Sequence, residues 1–237
     1  MKRSILVVAA HPDDETLGCG ATIAAHADAG DRVSILILGE GFTSRDSSTR
    51  SSAKTLQTLE KLRKDARTAA RILGARRIQF ASFPDNRFDT VALLDIVKRV
   101  ELEIQEVRPQ VIYTHHPGDL NIDHRLTFEA VLTATRPLGS SVVRELYSFF
   151  IASASEWAFG QLGSTFKPTL FVDASSTISR KTRALEAYGS EARAFPHPRS
   201  VPNLQAWSRI WGAQVGLRSA EAFETVRQIQ DLRKPRH

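Results

Sequence analysis

The chain has 237 residues, 42% hydrophobic and 24% charged, the balance of an ordinary globular protein that can bury a full core, and its length favours one domain over residues 1–237. No apolar run approaches the roughly 18 residues of a membrane helix, and a lone Cys19 excludes an intrachain disulfide and fits a reducing cytoplasm. The net charge of +6 suits an anionic partner or a solvated Arg-rich surface; with no binding motif or basic run interleaved with aromatics, nucleic acid is not expected.

Met1 to Ser4 runs straight into the apolar stretch Ile5 to Ala10, which is too short for the core of a signal peptide and reads as a first strand. Ala21 to Ala29 has helical character and stops at Gly30, and Arg32 to Leu38 is a second apolar run, completing a β-α-β unit. Leu56, Leu59, Leu62, Ala66, Ala69, Ala70 and Leu73 recur at helical spacing up to Gly74, and Arg77 to Ala81 can form a third strand. Val91, Leu94, Val97, Val100, Ile104 and Val107 mark another amphipathic helix, ended by Pro109 ahead of a strand from Gln110 to Thr114. This alternation implies a Rossmann-like, doubly wound α/β fold: a mainly parallel sheet with helices on both faces and strand order 3-2-1-4-5.

Arg125 to Thr135 is a further helix that closes a core of residues 4–135. In the remainder, 142–228, Val142 to Phe149 and Thr169 to Val172 read as strands, Ser175 to Tyr188 as a capped helix and Asn203 to Arg227 as mostly helical. Gly39 to Ser52 and Ala194 to Pro202 are irregular, and read equally well as loops at a site's edge and as solvated connectors.

The chemistry follows the first and fourth strands. His11-Pro12-Asp13-Asp14-Glu15 comes directly after one, and His115 to His124 directly after the other. In a 3-2-1-4-5 sheet those strands are neighbours where the order reverses, so both clusters meet in the usual ligand crevice. His11 and Asp14 can bite one ion through a tight turn, and His124 completes a set that leaves positions open, as catalytic zinc sites do. A cation there lowers the pKa of water and polarises a carbonyl, the two needs of amide hydrolysis. Asp13 is then available as general base, and later as acid to the leaving amine; helix capping is the competing role for an Asp-Asp pair after a strand.

Ala10-His11-Pro12-Asp13-Asp14-Glu15 resembles the AHPDDE signature of the PIG-L/LmbE deacetylases, and Asp123-His124 resembles their later DH motif. Leu73-Gly74 and Pro84-Asp85 sit where that family's helix end and post-strand acid lie, and the resemblance spans about residues 4 to 135. It implies a zinc-dependent hydrolase, with ferrous iron as the second choice of metal, that removes an N-acyl group, acetyl first, from an amino sugar or its conjugate. It also implies His11, Asp14 and His124 as metal ligands and Asp13 as base. Many members carry a histidine three residues before the last ligand, credited with supporting the oxyanion; this chain has Asn121, which can donate a hydrogen bond but not a proton. An acid role then falls to Asp13, His115 or His116, and Asp123 is placed to orient an imidazole.

Weaker candidates surround this set. If the chain is extended at His115 and His116, they face opposite ways and only one enters the crevice. Asp85 suits either substrate hydroxyls or a turn. Arg50, Arg63, His197 and Arg199 are candidates for an anionic substrate group. Trp157, Trp207 and Trp211 can stack on a sugar, though the last two, four apart, fit a core, and His26 reads as a surface residue. The rival readings are a metallophosphoesterase, which needs two metals and more ligands, and a non-catalytic metal- or sugar-binding homologue, against which Asp13 argues. A homo-oligomer is compatible with the sequence.

Overall fold

The computed structural model describes residues 2–42, 53–138, 142–189 and 193–230. Strand β1 (Ser4–Ala9) is buried along its whole length, as an apolar run without alternation must be when both faces of its sheet are covered. It pairs in parallel with β2 (Arg32–Gly39) on one side and β4 (Val111–His115) on the other. Beyond β2 lies β3 (Arg77–Phe83) and beyond β4 lies β5 (Glu145–Phe149), both parallel, giving the order β3-β2-β1-β4-β5. Two more strands, β6 (Leu170–Asp173) and β7 (Ala220–Gln228), complete a seven-stranded sheet in which β7 lies between β5 and β6, antiparallel to both. The fold is Rossmann-like and mainly parallel.

Strand β7 corrects the expectation of helix through Asn203 to Arg227. Helix α6 (Val201–Gln214) takes only the first half, and Gly216, at φ 75°, turns the chain towards the strand. Ala220, Glu221, Ala222 and Glu224 are poor strand formers by propensity, but pairing on both edges overrides that local preference.

The other helices are α1 (Asp14–Asp28), α2 (Ala53–Leu73), α3 (Leu93–Val107), α4 (Ile122–Ala134) and α5 (Ile178–Ala187). Successive strand residues face opposite ways: Ile5 and Val7 enter a core shared with α1, α2, α5 and α6, and Leu6 and Val8 one shared with α3 and α4. Among the described residues no helix is long and apolar enough to cross a membrane.

Helix α1 begins at Asp14, not near Ala21 as its periodicity suggests. Its first half is buried all round, so there is no polar face to read. The helix breaks at Cys19 (φ −145°, ψ 25°), beside Gly18, where a Cβ would lie 2.4 Å from the Phe149 ring. A buried ion pair satisfies the backbone at the break. Lys181 Nζ donates to Leu17 O (2.7 Å) and to Glu221 Oε1 (2.5 Å), while Glu221 accepts from the amides of Ala21 (3.1 Å) and Thr22 (2.6 Å). Elements α5 and β7 thereby brace the helix that starts at the AHPDDE segment.

Candidate active site

His11, Asp14 and His124 converge beyond the adjoining carboxyl ends of β1 and β4, and all three are buried. His11 Nδ1 and His124 Nε2 each lie 3.3 Å from Asp14 Oδ2. Atoms that bind one cation tetrahedrally at roughly 2.0–2.1 Å are about 3.3–3.4 Å apart, so each of the two His–Asp14 pairs has the spacing of adjacent ligands. His124 Nε2 and Asp14 Oδ1 are buried without a hydrogen-bond partner, a costly state that a bound cation relieves. The residues fit a divalent metal.

Each imidazole is held from behind by carboxylates. His11 Nε2 lies 2.9 Å from Asp123 Oδ2 and 3.2 Å from Asp85 Oδ1, and His124 Nδ1 lies 2.9 Å from Asp119 Oδ2. Such partners fix the tautomer and raise ligand basicity. Asp123 also accepts the amides of Asn86 (2.7 Å) and Phe88 (2.9 Å), so the loop after β3 locks its carboxylate in place.

Burial opposes charge on His11, but its hydrogen bonds to Asp123 and Asp14 and the charges of Asp14 and Asp85 outweigh it and push the pKa up to about 10. Burial likewise disfavours the Asp14 carboxylate, yet His124, His115 and His11 hold it well below the usual range. The cluster is built for positive charge, which a cation supplies as well as protons do. His115 differs. Its Nε2 accepts the Ala10 amide at 2.8 Å and must be unprotonated, and burial and the His124 charge hold its pKa well below the ordinary value. Stacked on His124 at 3.9 Å, it is a neutral spacer, which removes it as the acid.

Asp13 is almost fully buried and sits at φ 100°. A non-glycine residue held there costs of order 1–3 kcal/mol and persists only where its surroundings fix it. Its amide donates to Glu15 Oε2 (3.2 Å), and Arg199 Nη1 donates to its Oδ2 (2.8 Å). Although Asp13 occupies the N-cap of α1, its side chain makes no capping bond, so the competing role for this residue does not hold. Glu15 is itself fixed by the hydroxyls of Thr16 (2.7 Å) and Tyr188 (2.8 Å), and burial raises its pKa to about 7.

Asn121 does cap a helix. Its Oδ1 accepts the Asp123 amide (2.8 Å) at the start of α4, while its Nδ2 donates to Asn86 Oδ1 (2.9 Å). An amide nitrogen carries two hydrogens, so a second one remains for another acceptor.

Of the weaker candidates, the structure brings Asp85 and Arg199 into the site. His197 stands beside Arg199: it accepts the Arg199 amide (3.1 Å) and meets Trp157 edge-on, with ring centroids 6.0 Å apart. His116 turns away from the three ligands, donating to Ser164 O (2.7 Å) and facing Glu224 (2.9 Å). Arg63 is also outside the cluster, because Ser82 (2.6 Å) and the Phe80 ring hold its guanidinium along β3. Arg50 lies outside the described residues. Trp207 and Trp211 pack with Phe150 in the core. His26, read as a surface residue, is a half-buried bridge between Asp31 (2.7 Å) and Tyr113 (3.0 Å). Sequence reasoning missed Asp119, Asn86 and Tyr188. Asp119 was the most accessible of these, five residues before His124 in the same polar stretch.

The family profile PIG-L, described as GlcNAc-PI de-N-acetylase, matches residues 6–135. This chain belongs to the PIG-L family. The PIG-L chain is 27% identical over 239 residues to the diacetylchitobiose deacetylase of Thermococcus kodakarensis, covering 94% of this chain and 83% of that one. It is 25% identical to a probable N-acetyl-alpha-D-glucosaminyl L-malate deacetylase 2 of Bacillus cereus, covering 82% and 86%. A solved structure of a conserved protein from Thermus thermophilus shares 26% identity and superposes with a TM-score of 0.73 over 99% of this chain and all of that one. The expected enzyme class, an amide hydrolase, is that of the family.

Proposed function

We propose that this PIG-L chain is a zinc-dependent N-deacetylase acting on an N-acetylated amino sugar or a conjugate of one. The observation that carries the reading is that His11 Nδ1 and His124 Nε2 each lie 3.3 Å from Asp14 Oδ2, with the strained, buried Asp13 next to Asp14 in sequence. His11, Asp14 and His124 would hold the ion, which lowers the pKa of water and polarises the amide carbonyl. Asp13 takes a proton from the attacking water and returns it to the nitrogen as the C–N bond breaks, releasing acetate and a free amine. Asp123 and Asp119 keep the two imidazoles aimed, and the second amide hydrogen of Asn121 supports the negative oxygen. Asp85 meets substrate hydroxyls at the edge of the cluster. The names of two relatives, a diacetylchitobiose deacetylase and a glucosaminyl-malate deacetylase, favour a sugar carrying an N-acetyl group. Residues 1–237 act as one domain, because segments beyond the matched 6–135 supply Arg199, Tyr188 and the Lys181–Glu221 brace.

The test is to offer the metal-loaded protein a panel of N-acetylated sugars, free and nucleotide-linked, and follow amine release. Release of a primary amine that stops on chelation supports the reading. Release of inorganic phosphate from phosphorylated sugars, with two ions per chain, would replace it with the phosphoesterase.

A further inference from the structure

We propose that Arg199 is the positioning residue for Asp13, a role that rests on the reading of Asp13 as base. Arg199 lies outside the stretch 6–135 matched by the family profile, in the segment after the Phe195-Pro196 bond, yet it reaches 186 positions back along the chain to the first motif. Its Nη1 donates to Asp13 Oδ2 at 2.8 Å and its Nε to Ser153 Oγ at 2.8 Å, so the planar guanidinium is held from two sides. The Arg199 backbone is pinned in turn, its amide donating to His197 Nδ1 (3.1 Å). The Arg199 side chain is 19% exposed and that of Asp13 is 2% exposed, so the contact is far from a solvated surface pair.

Asp13 needs such a partner. Its left-handed backbone and the missing capping bond mean that α1 does not dictate where the carboxylate points. A base that must meet both the attacking water and the departing nitrogen has little tolerance for a swing, and displacement of a reacting group by about 1 Å can cost about 10²-fold. The guanidinium grips Oδ2, and its own bond to Ser153 keeps that grip in place. A lysine keeps the charge but replaces the rigid planar fork, in which Nη1 and Nε are set to Asp13 and Ser153, with a flexible point donor.

Arg199→Ala, loaded with metal, is expected to lose about 10²-fold in kcat with KM within about threefold of the parent and unchanged metal content, and added guanidinium ion is expected to restore part of the rate. Arg199→Lys should fall between the two. A raised KM with kcat retained would overturn the proposal and make Arg199 a substrate contact; an unaltered kcat would overturn it outright. A second arm needs no substrate: thermal unfolding of Asp13→Ala, Arg199→Ala and the double variant. Melting losses that are less than additive support the coupling, and additive losses overturn it. If the parent protein releases no amine from any sugar, the functional reading fails while this arm still decides whether the two residues act as a pair.

Discussion

His124 gives its Nδ1 to Asp119 at 2.9 Å, and the other oxygen of Asp119 takes the hydroxyl of Ser155, so one carboxylate ties a candidate metal ligand to the turn that follows β5. Asp119→Asn keeps the shape but weakens the pull on the imidazole. Metal affinity should drop about 10- to 100-fold, measured by competition with a chelator, with the fold intact by circular dichroism. Unchanged affinity would show that Asp119 serves only the turn.

Asn121 has two assignments that one variant separates. As the cap of α4 it is worth about 1 kcal/mol of stability, and as a donor to the oxyanion about 10²-fold in kcat. Asn121→Ala should show both losses, with KM little changed. A lowered melting temperature at full kcat would leave only the cap.

The Lys181–Glu221 pair is buried at the break in α1. Lys181→Met strands the Glu221 charge and leaves Leu17 O without its donor, so it should cost about 3 kcal/mol, or roughly 6–12 °C in melting temperature for a chain of this size. Replacing both residues by apolar ones removes the stranded charge but leaves the Ala21 and Thr22 amides without an acceptor, so part of the loss should remain.

Acidity separates the metal-free from the loaded protein. With the metal removed, His11 has a pKa of about 10 against about 6.5 in the unfolded chain, so the folded state binds the extra proton. That stabilisation is complete below about pH 6.5 and is lost as pH rises towards 10. A ligand imidazole must be unprotonated, so metal binding strengthens over the same interval. The melting-temperature gap between loaded and chelated protein should therefore widen from about pH 7 to about pH 9.5. A constant gap would mean that His11 is not displaced from its proton by the ion.

The sheet order β3-β2-β1-β4-β5 was legible because short, mostly apolar strands alternate with amphipathic helices, and β1 is an apolar run from Ile5 to Ala10 that stops at the polar motif. The two ends of the site were legible for the same reason: His11 and His115 start where such runs stop. Strand β7 was not, since Ala and Glu carry helical propensity and only its neighbours make it a strand. The first half of α1 was hidden because burial on every side erases periodicity. Arg199 was visible as a candidate, but for a substrate anion; its contact with Asp13 depends on how the 193–200 segment returns over the sheet, which no local pattern encodes.

Amine release by Asp13→Asn, beside a metal count on the same preparation, bears most directly on the role of Asp13. About one divalent ion per chain is expected in both the parent and the variant, with turnover on the N-acetylated sugar reduced by roughly 10²- to 10⁴-fold or more, the usual range for a general acid–base group. A variant that keeps its ion and turns over at nearly the parent rate would rule out Asp13 as the base.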